Sequence, residues 1–342
     1  MEILDLFYFA CNAVLPIVIL VIFGYILKRL NVFSDSFLNT ANSLVFRIFL
    51  PVLLFSNIGF IDQASFLNIN WNVVIFSVIS IILLFFLGLI IVLLFVKDNK
   101  QKGVILQSVF RSNYAIIGIP LCEFLTVNMD SSSSSVAIGL ATIVAAFSVP
   151  LFNSLGVIAL SVFDKEENTK INIKDLLKKI AKNPLILGVV SGLLFLGIRM
   201  IFIELGIDLS VSNMSSNFLY KAVKNIASIA SPLALIVLGG RFKFSSVKRL
   251  APQIVLGTAL RTVIVPLIFL MVGYLLGFRT LEFPTLIALF ATPAAVSSAS
   301  MAREMNQDSE LADQLVVWTS IISIFTIFII VLICSSVSLF VL

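Results

Sequence analysis

Three arginines stand where a long apolar chain can least tolerate them. Arg47, Arg111 and Arg261 each lie inside an apolar run, and no Asp or Glu is central to any such run. An arginine at the centre of a membrane helix costs about 2.5–3.5 kcal/mol on insertion scales, so each needs a reason. The richest neighbourhood is "FRSNYAIIGIP", 110–120, which sets Arg111, Ser112 and Asn113 a few residues before Gly118 and Pro120. A second is "FATPAAVSSASMAREM", 290–305, where Thr292, Pro293 and Ala294 precede Ser297 and Ser298. A guanidinium among amides and hydroxyls, with no acid to balance it, is equipment for holding an anion. Its planar fork takes a carboxylate with two hydrogen bonds. Arg111 is the first candidate for that role, with a structural tie to backbone carbonyls as its alternative. Arg261 is expected to pack or snorkel, and Arg47 to serve structure or tune selectivity.

The same residues argue against bond-making chemistry. There is no histidine, which removes the usual proton shuttle, catalytic base and metal ligand. A nucleophile with its base, paired carboxylates and a metal centre are all missing from the pattern, so an enzyme is not expected. Cys11, Cys122 and Cys334 have neither metal-ligand nor disulfide-framework spacing and are read as packing residues.

The elements that must position these groups are membrane helices. The 342 residues are 60% hydrophobic and 12% charged, with mean hydropathy +1.13. Soluble domains carry about 25% charged residues. A bilayer needs roughly 20 apolar residues per crossing helix. Spans are expected near 11–30, 36–59, 72–96, 103–125, 136–163, 184–204, 218–242, 251–277, 282–303 and 312–340. Lys28, Arg29, Lys97, Lys100, Lys102, Arg241, Lys243, Lys248, Arg249, Arg303 and the six lysines of 164–183 fall at the span ends and connections of one side. Arg199, Lys221, Lys224 and Arg279 fall on the other side. The positive-inside rule then makes 164–183 cytoplasmic and puts both termini outside. That segment ends in the amphipathic, basic "IKDLLKKIAKN", read as a solvated linker that could also lie on anionic lipid. "SSSSS", 131–135, reads as a flexible outer loop.

The chain echoes itself. "PIVILVIFG" from Pro16 and "PLILGVVSG" from Pro184 open the first and sixth spans, each with Gly eight residues after Pro. "PVLLFSNIG" from Pro51 and "PLALIVLGG" from Pro232 match likewise in the second and seventh. Five spans is an odd number, so the second half enters from the opposite side. The expected fold is all-α and polytopic. Ten transmembrane helices form two inverted five-helix repeats, 1–163 and 184–342, joined by the 164–183 linker. Helices four and nine are the interrupted ones. Proline removes a backbone donor and clashes with the carbonyl four residues back. In lipid the freed groups must meet protein or a polar cavity. Breaks are expected at Gly118, Pro120 and Pro293, facing each other near the midplane and leaving a polar site there.

"LPIVILVIFGYILKRLNVF", "NSLVFRIFLPVLLFSNI", "SNYAIIGIPL", "KNPLILGVVSGLL", "ASPLALIVLGGRF" and "TPAAVSSASMAREM…DSELADQLVVWTSIIS" together resemble the auxin efflux carrier family of bacterial and plant transporters. The likeness runs over essentially the whole chain. It implies crossover helices four and nine and elevator-like movement of a transport domain against a scaffold. It also implies a substrate-carboxylate contact at Asn113 and a crossover proline at Pro293. Plant members often carry Pro just before this Asn, where this chain has Ser112, which puts the position of the first break in question. Bacterial relatives are linked with acids such as malate or malonate.

The expected function is a secondary carrier of small organic anions in the plasma membrane. Arg111, Ser112, Asn113, Thr292, Pro293 and Ala294 would bind the substrate. No cofactor is expected, and neither is nucleic acid; the partners are the substrate, the lipid bilayer and, left open, a second copy in a homodimer. Coupling also stays open. Sodium could use Thr292, Ser297 and Ser298, a proton would need a carboxylate such as Glu123 or Glu304, and uniport needs neither. The competing expectations are a sodium-coupled symporter of bile-acid-transporter type, an intramembrane enzyme, and a membrane sensor without transport.

Overall fold

The computed structural model describes residues 16, 19–60, 70–126, 129, 131–163, 182–207, 209, 214, 216–242 and 244–336. The amphipathic linker segment and most of the first half of the first expected span lie outside the described residues. Helix α1 covers 19–29. Helix α2 comprises Asp35–Leu44, a π-turn at Val45–Phe49 and Leu50–Gly59, and α3 is Trp71–Phe95. Next come α4, Asn99–Phe110; a π-turn at Tyr114–Gly118 leading into α5, Ile119–Leu125; and α6, Ser131–Ser161. In the second half, α7 is Pro184–Glu204 and α8 Phe218–Arg241. Helix α9 comprises Phe244–Ala259, a π-turn at Leu260–Ile264 and Val265–Leu275. Last are α10, Phe283–Phe290; α11, Val296–Glu304; and α12, Ser309–Ser336.

Seven helices among the described residues are long and apolar enough to cross a membrane. They match seven of the expected spans. The remaining three have no continuous helix of that length among the described residues. The first span lies partly outside the described residues. Over the residues of the expected fourth and ninth lie two pairs of shorter helices, α4 with α5 and α10 with α11, each piece too short to cross alone. The helix-forming pattern is local. Asn70, Asp98, Asn183 and Asn217 cap α3, α4, α7 and α8 by accepting a backbone N–H with the side-chain oxygen. The outer face of α3 shows Ile75, Ile79, Leu83, Phe86 and Ile90, as a lipid-facing helix should.

Three prolines explain the three π-turns. Leu50, Ile119 and Val265 immediately precede Pro51, Pro120 and Pro266, and each donates to the carbonyl five residues back. The wider turn accommodates a residue that cannot donate and would crowd the carbonyl four back. The helix therefore continues through Pro120 rather than breaking there. The serine run is also corrected: 131–135 forms the first turns of α6 and is not a loop.

Helices α1, α2, α7 and α8 pack as one group, and α3–α6 with α9–α12 as the other. Glycine sets the closest approach in the first group. A Cβ on Gly24 would stand 2.0 Å from the Ile236 carbonyl oxygen, and one on Gly239 1.9 Å from that of Val21. Only bare backbone lets α1 and α8 meet, as small residues do wherever membrane helices pack tightly.

Candidate functional site

The two interruptions meet. Helix α4 ends at Phe110, and Arg111 is extended, at φ −92° and ψ 98°. Helix α10 ends at Phe290, and the chain turns through 291–295 before α11 begins. Ser112 and Ala294 form an antiparallel bridge. The Asn113 N–H donates to the Pro293 carbonyl at 2.8 Å, and the Ala295 N–H to the Arg111 carbonyl at 3.1 Å. The Ala294 N–H is satisfied by the Thr319 hydroxyl of α12 at 3.1 Å. Backbone groups freed by each break are thus met by the other break or by a side chain, as an apolar surrounding demands.

The crossing has two electrostatically different sides. Helices α4 and α10 end there, presenting carbonyls at the negative ends of their dipoles. The π-turn leading into α5 begins there, and so does α11, presenting N-termini. On the carbonyl side sits Arg261, fully buried. Its Nη1 donates to the Val109 carbonyl at 3.1 Å, Nη2 to that of Leu289 at 3.0 Å and Nε to that of Thr292 at 2.8 Å. Two of the three acceptors have a local cause. The ordinary partner of Val109 is the N–H of Asn113, which has turned to Pro293. The ordinary partner of Leu289 would be residue 293, a proline with no N–H. Arg261 therefore does not snorkel or merely pack; it repairs both breaks at once.

On the N-terminal side lies a cavity of about 50 Å³. Arg111, Ser112, Asn113, Asn153, Ala295 and Ser297 line it, closed over by Leu50, Leu53 and Leu54 of α2 and Ser231 and Ala234 of α8. Arg111 is 2% exposed. Its Nη2 donates to Asn153 Oδ1 at 2.7 Å and to Ser297 Oγ at 2.8 Å, and Nη1 lies 3.3 Å from the Met301 sulfur. The Gln107 amide, turned with its oxygen to the guanidinium, accepts from Nη1 at 3.2 Å. All these partners are neutral. Asn113 Nδ2 and the Ser112 hydroxyl are buried without a hydrogen-bond partner, two polar groups that a ligand would satisfy.

The structure brings Arg111, Ser112, Asn113 and Ser297 to the cavity wall. Thr292, Pro293 and Ala294 contribute backbone: Thr292 turns its hydroxyl to the Ala288 carbonyl at 2.9 Å, and the Thr292 and Pro293 carbonyls accept from Arg261 and Asn113. Gly118 and Pro120 sit away from the break, in the helical run after it. Gly118 lets that run lie against α10, since a Cβ there would be 2.9 Å from the Ala288 carbonyl oxygen and 2.6 Å from the Tyr114 ring. The hydroxyls of Thr292, Ser297 and Ser298, the candidate cation ligands, are differently engaged. One hydroxyl is bonded to backbone and one accepts from Arg111; that of Ser298 is buried and unpartnered. No group of three or more acidic, His or Cys residues that could hold a metal occurs among the described residues.

Arg47 lies outside the site. Its side chain is 68% exposed and Nη2 is 3.5 Å from Glu304 Oε2. Glu304 also accepts from Asn42 at 3.1 Å and Ser43 at 3.0 Å, tying α11 to α2. Beside it, Arg303 donates to both carboxylate oxygens of Asp313, at 2.9 and 2.6 Å. Sequence reasoning missed Asn153, whose only signal was a lone amide in the apolar fifth span. It also counted Arg199, inside the expected sixth span, only as a charge that sets orientation. Arg199 is buried in α7 and caps α2 by donating to the Gly59 carbonyl at 2.5 Å.

A family profile described as "Membrane transport protein" matches residues 9–331. An uncharacterized transporter of Methanothermobacter thermautotrophicus is 24% identical over 322 residues, covering 93% of this chain and 96% of the relative. A match of that extent covers both interrupted helices and everything that packs on them, and this chain belongs to the membrane transport protein family, the auxin efflux carriers.

Proposed function

We propose that this protein is a secondary carrier of small organic anions, with malate-like carboxylates as the substrate class. The observation that carries the reading is the N-terminal side of the crossing. There a buried guanidinium with only neutral partners stands beside an unpartnered amide N–H₂ and an unpartnered hydroxyl. A buried cation without an acid is costly until a negative charge arrives, and helix N-termini favour the same sign. Arg111 would hold the carboxylate, Asn113 and Ser112 would donate or accept at its edge, and Asn153 and Ser297 would keep the fork aimed when the site is empty.

The cavity volume supports alternating access. Small-molecule sites typically measure about 300–1,000 Å³, far above the space present. Enlarging it requires α2 and α8 to separate from the breaks. That boundary runs between the two helix groups, so an elevator-like shift of α3–α6 and α9–α12 against α1, α2, α7 and α8 opens the site. In this reading the chain forms ten membrane helices in two inverted repeats in the plasma membrane, with both termini outside.

The test is uptake of labelled malate into proteoliposomes. Wild-type protein takes up malate above protein-free vesicles. Asn113→Ala reduces uptake at least tenfold while keeping its thermal unfolding midpoint, and unchanged uptake by that variant rejects the site.

A further inference from the structure

Interrupted membrane helices leave two kinds of orphan. Their N-terminal ends suit anions, and their C-terminal carbonyls suit cations, which is how such carriers ordinarily hold a coupling sodium ion. In this chain the carbonyl side of the crossing is already taken. Val109, Leu289 and Thr292 are the acceptors a bound cation would use, and the guanidinium of Arg261 donates to all three at 2.8–3.1 Å.

We propose that Arg261 is a tethered cation standing where a coupling sodium ion would bind, so that this crossing holds no sodium site. Four observations converge. The guanidinium is fully buried and donates to carbonyls of both interrupted segments, on chain stretches about 180 residues apart. Two of its three acceptors are carbonyls whose own donors were removed, that of Leu289 by Pro293 and that of Val109 by the turn of Asn113 to Pro293. No described carboxylate forms an ion pair with it, so its counter-charge is the negative ends of α4 and α10. Of the three hydroxyls considered for a cation beside the second break, two are committed elsewhere, that of Thr292 to Ala288 and that of Ser297 to Arg111, which leaves only that of Ser298. A mobile cation at Ser297 would sit against a guanidinium; one at Thr292 would have to displace Arg261 from its carbonyl.

The consequence is mechanistic. A sodium ion leaves with the substrate and returns by its gradient; a tethered arginine does neither. The charge that holds the two breaks together is then constant through the cycle, and the site needs only the anion. This consequence rests on the carrier reading above, while the occupation of the site by Arg261 does not.

The test needs no substrate. Amide exchange at 109–114 and 289–296 is followed by mass spectrometry on the full chain in nanodiscs, in sodium chloride or choline chloride at equal ionic strength. Wild-type exchange is expected to be the same in both salts; sodium-dependent protection at the breaks overturns the proposal. Arg261→Gln is expected to raise exchange at both segments more than about tenfold, the factor corresponding to loss of 1.4 kcal/mol of local protection. Sodium is expected to restore part of that protection where choline does not. Equal action of the two salts on this variant, or unchanged exchange, overturns it. Arg261→Lys keeps a tethered cation and is expected to stay within about tenfold of wild type; exchange as fast as in Arg261→Gln counts against the charge argument. Failure of malate uptake would leave these results standing, and failure here would leave the anion site of Arg111 untouched.

Discussion

Replacing Arg111 by glutamine separates a binding role from a structural one. The gain from the guanidinium can be worked from its place. A carboxylate 4 Å away in a site of effective dielectric about 20 is attracted by about 4 kcal/mol. To reach it, the fork gives up a bond to Asn153 or Ser297, worth about 1.5 kcal/mol. The remainder is about 2.5 kcal/mol, or about sixtyfold in affinity. The unliganded fold should change little. Two charge-assisted bonds are lost, at about 1.5–3 kcal/mol each, but so is the penalty of several kcal/mol for an unpaired buried cation. Calorimetric titration of malate into nanodisc-embedded protein, with unfolding midpoints measured beside it, reads both quantities. Arg111→Gln is expected to bind about sixtyfold more weakly with a midpoint within a few degrees of wild type. Wild-type affinity in this variant, or a collapsed midpoint with affinity kept, refutes the reasoning.

Further predictions follow from the packing. Gly239→Ala forces a methyl to 1.9 Å from the Val21 carbonyl oxygen, so thermal unfolding should show a loss of about 1–3 kcal/mol as α1 and α8 are pushed apart. Asp313→Asn leaves Arg303 half-served at a site where the two side chains are 4% and 14% exposed. The expected cost is about 3–5 kcal/mol, and adding Arg303→Gln should recover part of it in a double-mutant cycle. Thr319→Ala strands the Ala294 N–H and should cost about 1–3 kcal/mol in the same assay, whereas Thr319→Ser should not.

Much of this arrangement was legible in the residues, and the failures have physical causes. Long apolar runs and Asn or Asp caps are local, so the helices α2, α3, α7 and α8 fall where hydropathy placed them. Pro293 marks the second break because it strips the donor from Leu289, a purely local effect. Pro120 misleads for the same reason: a proline removes a bond, but a π-turn absorbs the loss without opening the helix. The first break falls instead at Arg111–Asn113, where pairing with Ala294 decides the backbone, and that partner is about 180 residues away. Arg261 shows the same limit. An uncompensated arginine in a span announces a duty, but the carbonyls that give it one come from two distant segments. The serine run was misjudged because serine is neutral in a helix when its turn is continued by the apolar residues of α6.

The central claim is that an organic anion sits on the N-terminal side of the crossed breaks. Electron cryomicroscopy of the nanodisc-embedded protein saturated with malate tests it directly. The account predicts ligand density bounded by Arg111, Asn113 and Ser297, with α2 and α8 drawn back from it. Density elsewhere in the protein, with the crossing as closed as it is without ligand, would contradict it.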